Sequence, residues 1–431
     1  TSAVREASNQ LAFLDRIYIA TEFQVDAMDE AEINRITYLG IRGELTQMST
    51  DATIVVCEVG GGSTELLAVR NNQIDFAHTY KLGSLRLRKT LDSYGAPITQ
   101  SRHLMEAEIK RTTGLLHDHV NSDHPLRLVA LGGDIRFAAN QINGAWDSKT
   151  GATIDRESLE TLTNDILAMP LDTIVQQYPH DITFQETETL GPALLAYVEI
   201  AKQLEFQQIQ VSGANLRDGL LQEMALEEAW SREFQNQIIG SVLDLGHHFD
   251  FDEAHAVHVA SLASDLFDQL QPQHNLDPRY GTFLRVAAYL HEIGMFISNR
   301  GYHKHTMYLI NNSELFGLGK PNLLLIALIA RYHRGASPQP KHDGFSTLNR
   351  DNRVAVSKLA AILRVAVALD ASRNQAIHQI LCKTDEKQLV VSTPDATDLS
   401  LEQLILKQNG SLFEEVFGLR ILLRSHATNL S

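Results

Sequence analysis

Cysteine is almost absent from this chain of 431 residues: Cys57 and Cys382 are the only two. They are too few and too far apart in sequence for a disulfide framework or a thiolate metal site, and a reducing cytoplasm suits such a chain. Long apolar runs are missing as well. The longest, such as Leu323–Ala330, fall far short of a membrane span, and the first residues lack a basic stretch followed by an apolar core, so no membrane partner is expected. Positive charge is in deficit: 37 Lys and Arg against 53 Asp and Glu leave a formal net charge of −16. That excludes a general nucleic-acid binder, whose contact surface needs a surplus of cations. A polyanionic substrate would need a local basic patch. With 11 Pro, 26 Gly, 44% hydrophobic and 21% charged residues, the composition is that of a globular protein rather than a fibrous or disordered one.

The length exceeds what one hydrophobic core supports, so two or three domains are expected. A strand is predicted over Ile54–Val59 and a second near Leu66–Val69, joined by Gly60-Gly61-Gly62. Helical periodicity covers Ser101–Leu116 and Ser158–Leu167, and Leu126–Leu131 and Ile209–Val211 read as short buried strands. The chain to about Ala229 is therefore mixed α/β. Beyond about Phe234, Val259, Leu262, Ala263, Leu266 and Leu270 follow the i, i+3, i+4, i+7 rule of an amphipathic helix. From Lys387, strand-like Leu389–Val391 and Leu419–Leu423 surround a helical Leu399–Gln408, a small α/β tail. The first residue is Thr1 rather than Met, and Thr1–Asn9 reads as the middle of a helical region, so a fragment is expected.

The most informative segment is Glu58-Val59-Gly60-Gly61-Gly62-Ser63-Thr64-Glu65. Consecutive glycines let backbone N–H groups converge on an anion, and Ser63 and Thr64 add donors for phosphate oxygens. Glu58 and Glu65 suit Mg²⁺, which takes few carboxylates together with substrate phosphates. No Lys follows the glycines and a strand rather than a helix comes next, so neither a P-loop nor a dinucleotide fingerprint fits. A plain hairpin turn is the alternative, although it needs fewer glycines and no flanking carboxylates.

These residues resemble the exopolyphosphatase and guanosine-pentaphosphatase (Ppx/GppA) family, within the superfamily of actin, sugar kinases and heat-shock chaperone ATPases. Thr1–Asn9 is similar to the family's Thr-x-Ala-x-Arg-x-Ala-x-Asn segment, and Glu32–Ile41 resembles its Glu-containing helix. Gly83–Leu87 and Asn215–Leu220 look like two further signatures. The resemblance implies an actin-like, ribonuclease H-like α/β fold. Its first lobe would persist in residues 1–45 and its second, with the phosphate loop, in 46–230. A helical HD-like domain over 235–380 and a small α/β segment over 381–431 would follow. The implied reaction is exopolyphosphatase hydrolysis of terminal phosphoanhydride bonds, with hydrolysis of guanosine pentaphosphate or non-catalytic polyphosphate or alarmone sensing as alternatives. Glu32 matches the family's general base, and a helix-start carboxylate serving the dipole is the other reading. Arg5 matches a phosphate-clamping arginine, while Arg86 and Arg217 fall in matching segments with structural roles expected. A homodimer and a substrate channel formed with the helical domain are also implied.

Three departures accompany the match. The family's opening Asp-x-Gly-Ser-Asn-Ser loop is absent, Glu58 stands where Asp is usual, and Gly132-Gly133-Asp134-Ile135-Arg136 replaces a Gly-Thr segment. A shifted activity or substrate preference is expected from them.

In the helical region His255, His258, His291, His303, His305 and His333 with Glu292 resemble the metal-binding HD phosphohydrolase pattern. Glu292 replaces its Asp and Ala366-Val367 replaces its Ala-Asp, so the carboxylates of a conventional HD site are expected to be missing. His255 also fits a core position. Basic runs at His303–His305 and Arg331–Arg334 could guide a phosphate chain or be plain exposed loops.

Overall fold

The computed structural model describes residues 2–48, 51–94, 98–114, 116, 120, 124–147, 149–225, 230–394 and 398–425. The chain divides into two compact units, Thr1–Ala229 and Trp230–Ser431.

The first unit is built on a six-stranded mixed sheet in the order β3-β2-β1-β4-β6-β5, with β1 Thr53–Val59, β2 Thr64–Arg70, β3 Gln73–Tyr80, β4 Leu126–Leu131, β5 Ala152–Asp155 and β6 Gln208–Val211. β1 to β3 form an antiparallel meander, β4 lies parallel to β1, β6 lies parallel to β4, and β5 closes the edge antiparallel to β6. β1 reads as a near-continuous apolar run because both its faces are covered, so its residues do not alternate in burial. Asn71 and Asn72 take positive φ at 51° and 62°, which gives β2 and β3 the tight turn that suits the twist of a hairpin. Helix Phe184–Gln203 is buried along most of its length and supplies Leu194, Val198 and Ile200 to the same core as Val55, Leu66, Leu128 and Ile209. Helix Glu30–Leu45 packs on β2, β3 and helix Leu216–Ala225. This unit is α/β with a mixed sheet.

The N-terminal residues form helix Ser2–Glu6, a break, and then helix Gln10–Thr21, so the expected helical region is interrupted at Ala7–Asn9. The predicted helix over Ser101–Leu116 begins at Ile98, and its last regular residue is Thr112.

The second unit packs helices Arg232–His248, Glu253–Gln269, Arg279–Leu290, Tyr302–Asn312, Lys320–Arg331 and Arg350–Leu369 around one core. A three-stranded sheet follows, with β7 Leu381–Thr384 antiparallel to β8 Gln388–Thr393 and β8 parallel to β9 Arg420–Ser425. Its Leu389 and Val391, and Leu406 and Phe413 of the connecting helices, sit in the same cluster as Leu359 and Leu363. The tail therefore shares its core with the helices. No helix among the described residues is long and apolar enough to cross a membrane.

Candidate active site

The turn between β1 and β2 is closed by the Gly60 N–H, which donates to Ser63 O at 2.8 Å. Its three glycine carbonyls are held by the segment after β3. The Ser84 N–H donates to Gly60 O at 3.0 Å, the Leu85 N–H to Gly61 O at 2.9 Å, and Arg86 Nε–H to Gly62 O at 3.0 Å. Among the described residues the N–H groups of Gly61 and Gly62 bind no backbone acceptor, so they are the donors a ligand anion would meet. This backing depends on Gly83. A Cβ there would lie 2.5 Å from the backbone of Gly61 and Gly62, closer than any real contact.

The two hydroxyls of the motif turn inward. Ser63 Oγ donates to Glu65 Oε1 at 2.7 Å, and Thr64 Oγ1 donates to Leu82 O at 2.5 Å. Thr64, fully buried, braces the loop and in this arrangement offers no proton to a ligand. Ser63 orients a carboxylate.

Glu58 and Glu65 are direct partners across the hairpin. Like charges in that relation repel, and both groups are largely out of water. Burial raises the Glu58 carboxyl above its ordinary range, against the pull of Arg136. Burial also pushes Glu65 up to about 7, with the Glu58 charge adding to the effect and Ser63 and Arg5 opposing it. Two facing carboxyls with an all-oxygen donor set suit a hard divalent cation such as Mg²⁺, whose charge would remove the conflict.

A pH dependence follows from this. Protonated Glu65 suits the folded state, so its contribution is complete below its ordinary value of 4.5 and is lost as pH rises through about 7. Glu65→Gln is neutral throughout. Urea unfolding without divalent ions should therefore show the variant gaining on wild type between about pH 5 and about pH 8, by up to roughly 3 kcal/mol. An unchanged difference across that range would contradict the buried, charge-coupled setting.

Arg5 stands near this pair with its side chain only 12% exposed and Glu30 as its ion-pair partner at 4.0 Å. Its Nε and Nη2 are buried without a hydrogen-bond partner, an expensive state for a guanidinium that an anion would relieve. Helix Ser2–Glu6 is held in place by Arg86, whose Nη2 meets both Glu6 carboxylate oxygens at 2.8 and 2.7 Å. Arg86 thus ties the Arg5 helix to the Gly62 carbonyl, a positioning role. Arg217 is exposed, and Asn215 beside it caps helix Leu216–Ala225 by accepting the Arg217 N–H at 2.9 Å.

Glu32 is placed differently. It forms a capping box at the start of helix Glu30–Leu45: its Oε2 accepts the Asp29 N–H at 2.8 Å, and Asp29 accepts the Glu32 N–H at 2.9 Å. Burial raises its carboxyl above the usual range; the Asp29 N–H and Arg35 oppose this, and the charges of Asp29 and Glu223 add to it. The structure therefore brings Arg5, Glu58, Ser63, Glu65 and the glycine turn together, while Glu32 answers to another set of charges.

Sequence reasoning missed Tyr197, whose hydroxyl accepts the Val59 N–H at 2.8 Å and donates to Leu131 O, pinning the ends of β1 and β4. An aromatic residue inside an apolar helix carries no signal of that role. Gly132, at φ 110°, leaves space for this hydroxyl, which a Cβ would meet at 3.0 Å. Asp134, in the first turn of helix Gly133–Asn143, is pushed up to about 6 by burial and the Glu186 charge, against Arg136.

In the second unit His255, His291 and Glu292 lie together, and the expected absence of carboxylates needs correction. Asp370, at the end of helix Arg350–Leu369, meets His255 Nδ1 at 2.7 Å. It stands three positions after the Val367 that breaks the expected pair, where the helix has ended and the chain can turn the carboxylate back.

The model of the Ppx/GppA phosphatase family matches residues 1–228, and that of Ppx/GppA phosphatase domain III matches residues 239–414. The chain belongs to the Ppx/GppA phosphatase family. Members hydrolyse phosphoanhydride bonds, and this Ppx/GppA chain is a hydrolase of that class. It is 22% identical over 391 residues to a guanosine-5'-triphosphate,3'-diphosphate pyrophosphatase of Photobacterium profundum, covering 84% of this chain and 71% of the relative. It is 23% identical over 405 residues to the Aeromonas hydrophila protein of the same name, covering 91% and 77%. Among solved structures it is similar to the Aquifex aeolicus family member, with TM-score 0.45 and 18% identity over 53% of this chain and 74% of that one. An exopolyphosphatase from Cytophaga hutchinsonii gives TM-score 0.44 and 19% identity over 52% and 72%.

Proposed function

We propose that this phosphatase is an exopolyphosphatase, releasing orthophosphate from the end of inorganic polyphosphate. The supporting observation is the convergence of the Glu58–Glu65 pair and the Arg5 guanidinium, two of whose buried nitrogens lack a hydrogen-bond partner, on a glycine turn with unused amides. Every one of these groups addresses phosphate or its counterion. Arg5 and the Gly61 and Gly62 N–H groups hold the terminal phosphate, with Ser63 setting the Glu65 carboxylate and Gly60 and Thr64 shaping the turn. Glu58 and Glu65 would hold Mg²⁺, which offsets phosphate charge. Glu32 is assigned as the base that takes a proton from the attacking water on its match to the family's base alone, since its carboxylate is set among Asp29, Arg35 and Glu223 rather than at the turn. The new P–O bond then forms opposite the bridging oxygen, and the anhydride bond to that oxygen breaks. Orthophosphate and a chain shorter by one unit leave.

The names of the relatives favour a second substrate, guanosine pentaphosphate, whose terminal phosphate presents the same chemistry. Orthophosphate release from long-chain polyphosphate and, separately, from guanosine pentaphosphate decides between them. Polyphosphate is expected to be the faster substrate with Mg²⁺, and excess EDTA is expected to stop release. Faster hydrolysis of guanosine pentaphosphate would select the second reading, and binding of either without turnover would leave a sensor.

A further inference from the structure

The histidine cluster of the second unit has a feature its amphipathic helices do not require. His291, fully buried, has its Nδ1 at 2.6 Å from Ala288 O. That nitrogen carries the proton, so Nε2 holds a lone pair, and Nε2 is buried with no hydrogen-bond partner. His255 is fixed in the same sense: its Nδ1 meets Asp370 Oδ2 at 2.7 Å, and the Gln375 N–H steadies the other Asp370 oxygen at 3.0 Å. Ligand atoms of His255, His291 and Glu292 all lie within 4.8 Å of one another. Two imidazoles with their far nitrogens locked, one of them by a carboxylate, are the usual support of metal-bound histidine. The N,N,O donor set suits a borderline divalent ion such as Zn²⁺, Mn²⁺ or Co²⁺ better than Mg²⁺.

A cation already serves Glu292. Arg373 Nη2 lies 2.8 and 2.7 Å from its two oxygens, and Nη1 lies 3.0 Å from Asp252 Oδ2. The Arg373 side chain is about two-fifths exposed and belongs to a residue with φ 54°, in a loop that begins directly after Asp370. We propose that His255, His291 and Glu292 form a divalent transition-metal site in which Arg373 is the built-in competitor, released from Glu292 when the ion binds. Guanidinium and metal ion repel each other and claim the same carboxylate. Arg373 can keep Asp252, on its solvent side, after giving up Glu292.

Cobalt titration of the full chain tests this, in a background carrying Glu58→Gln and Glu65→Gln so that the first unit contributes no carboxylate pair. One equivalent of Co²⁺ should bind with the visible absorption of imidazole ligation. Arg373→Gln should tighten binding about tenfold or more, because a charge-assisted pair no longer has to be broken. His291→Gln should abolish the band, and His255→Gln provides a second removal should the first variant misfold. No histidine-ligated Co²⁺ in either the background protein or its folded Arg373→Gln form would overturn the site. Binding that Arg373→Gln leaves unchanged would overturn the competition.

Discussion

Replacing Glu32 with Gln should lower orthophosphate release by roughly 10²-fold or more, the usual contribution of a general base, and leave the fold intact. The capping box makes this substitution unusually clean. Gln at the third helical position still offers an oxygen to the Asp29 N–H, the bond Glu32 makes at 2.8 Å, so the helix keeps its start. Only the proton-accepting charge is lost. Unfolding in urea should shift by no more than about 1 kcal/mol, and KM should change far less than kcat if Glu32 acts on water rather than on substrate binding. A variant with wild-type kcat would leave Glu32 as a helix cap and move the search for the base to Glu58, Glu65 or Asp134, the carboxyls that burial raises around the turn.

The second large effect is expected from Gly83→Ala, a single methyl group outside the glycine motif. Its Cβ would sit 2.5 Å from the backbone of Gly61 and Gly62, and backbone in a turn cannot rotate away as a side chain can. The loop must lift off the Ser84 and Leu85 amides that hold its carbonyls at 3.0 and 2.9 Å. Two backbone hydrogen bonds and their close packing are at stake, so a stability loss of about 2–4 kcal/mol is expected. A displacement of about 1 Å at the phosphate donors should cost turnover about 10²-fold. Gly43→Ala is the control. It lies in helix Glu30–Leu45 with nothing within 4 Å of its Cβ and should leave stability unchanged or raise it by about 0.5–1 kcal/mol. Wild-type turnover in a folded Gly83→Ala protein would show that the turn is not the phosphate cradle.

The hairpin was legible because its information is local. Apolar Ile54–Val56, a glycine turn and flanking carboxylates occupy adjacent positions, and the alternation of strands places Glu58 and Glu65 face to face once the turn is formed. The inward hydroxyl of Thr64 was not legible, since its acceptor Leu82 belongs to the chain beyond β3. The same holds for Tyr197, 138 residues from the Val59 amide it accepts, and for the bridge from Arg86 to Glu6, 80 residues apart. Such pairings depend on the sheet order, which no short window encodes. Glu32 shows the opposite case: the Asp29-to-Glu32 spacing is a helix-start signature readable from four residues, and its competition with catalysis becomes visible only with the side chains in place. Asp370 is not singled out by the sequence pattern, because the expected carboxylate position holds Val367. A helix end, where the path is no longer bound to a 3.6-residue repeat, returned a carboxylate to His255.

The central claim is that the facing carboxylates of the hairpin serve phosphoanhydride hydrolysis, and the initial rate of orthophosphate release from polyphosphate by Glu58→Gln/Glu65→Gln tests it most directly. With Mg²⁺ present and the fold verified, the double variant is expected to fall by about 10²-fold or more below wild type. A rate within about twofold of wild type would place the chemistry elsewhere in the molecule.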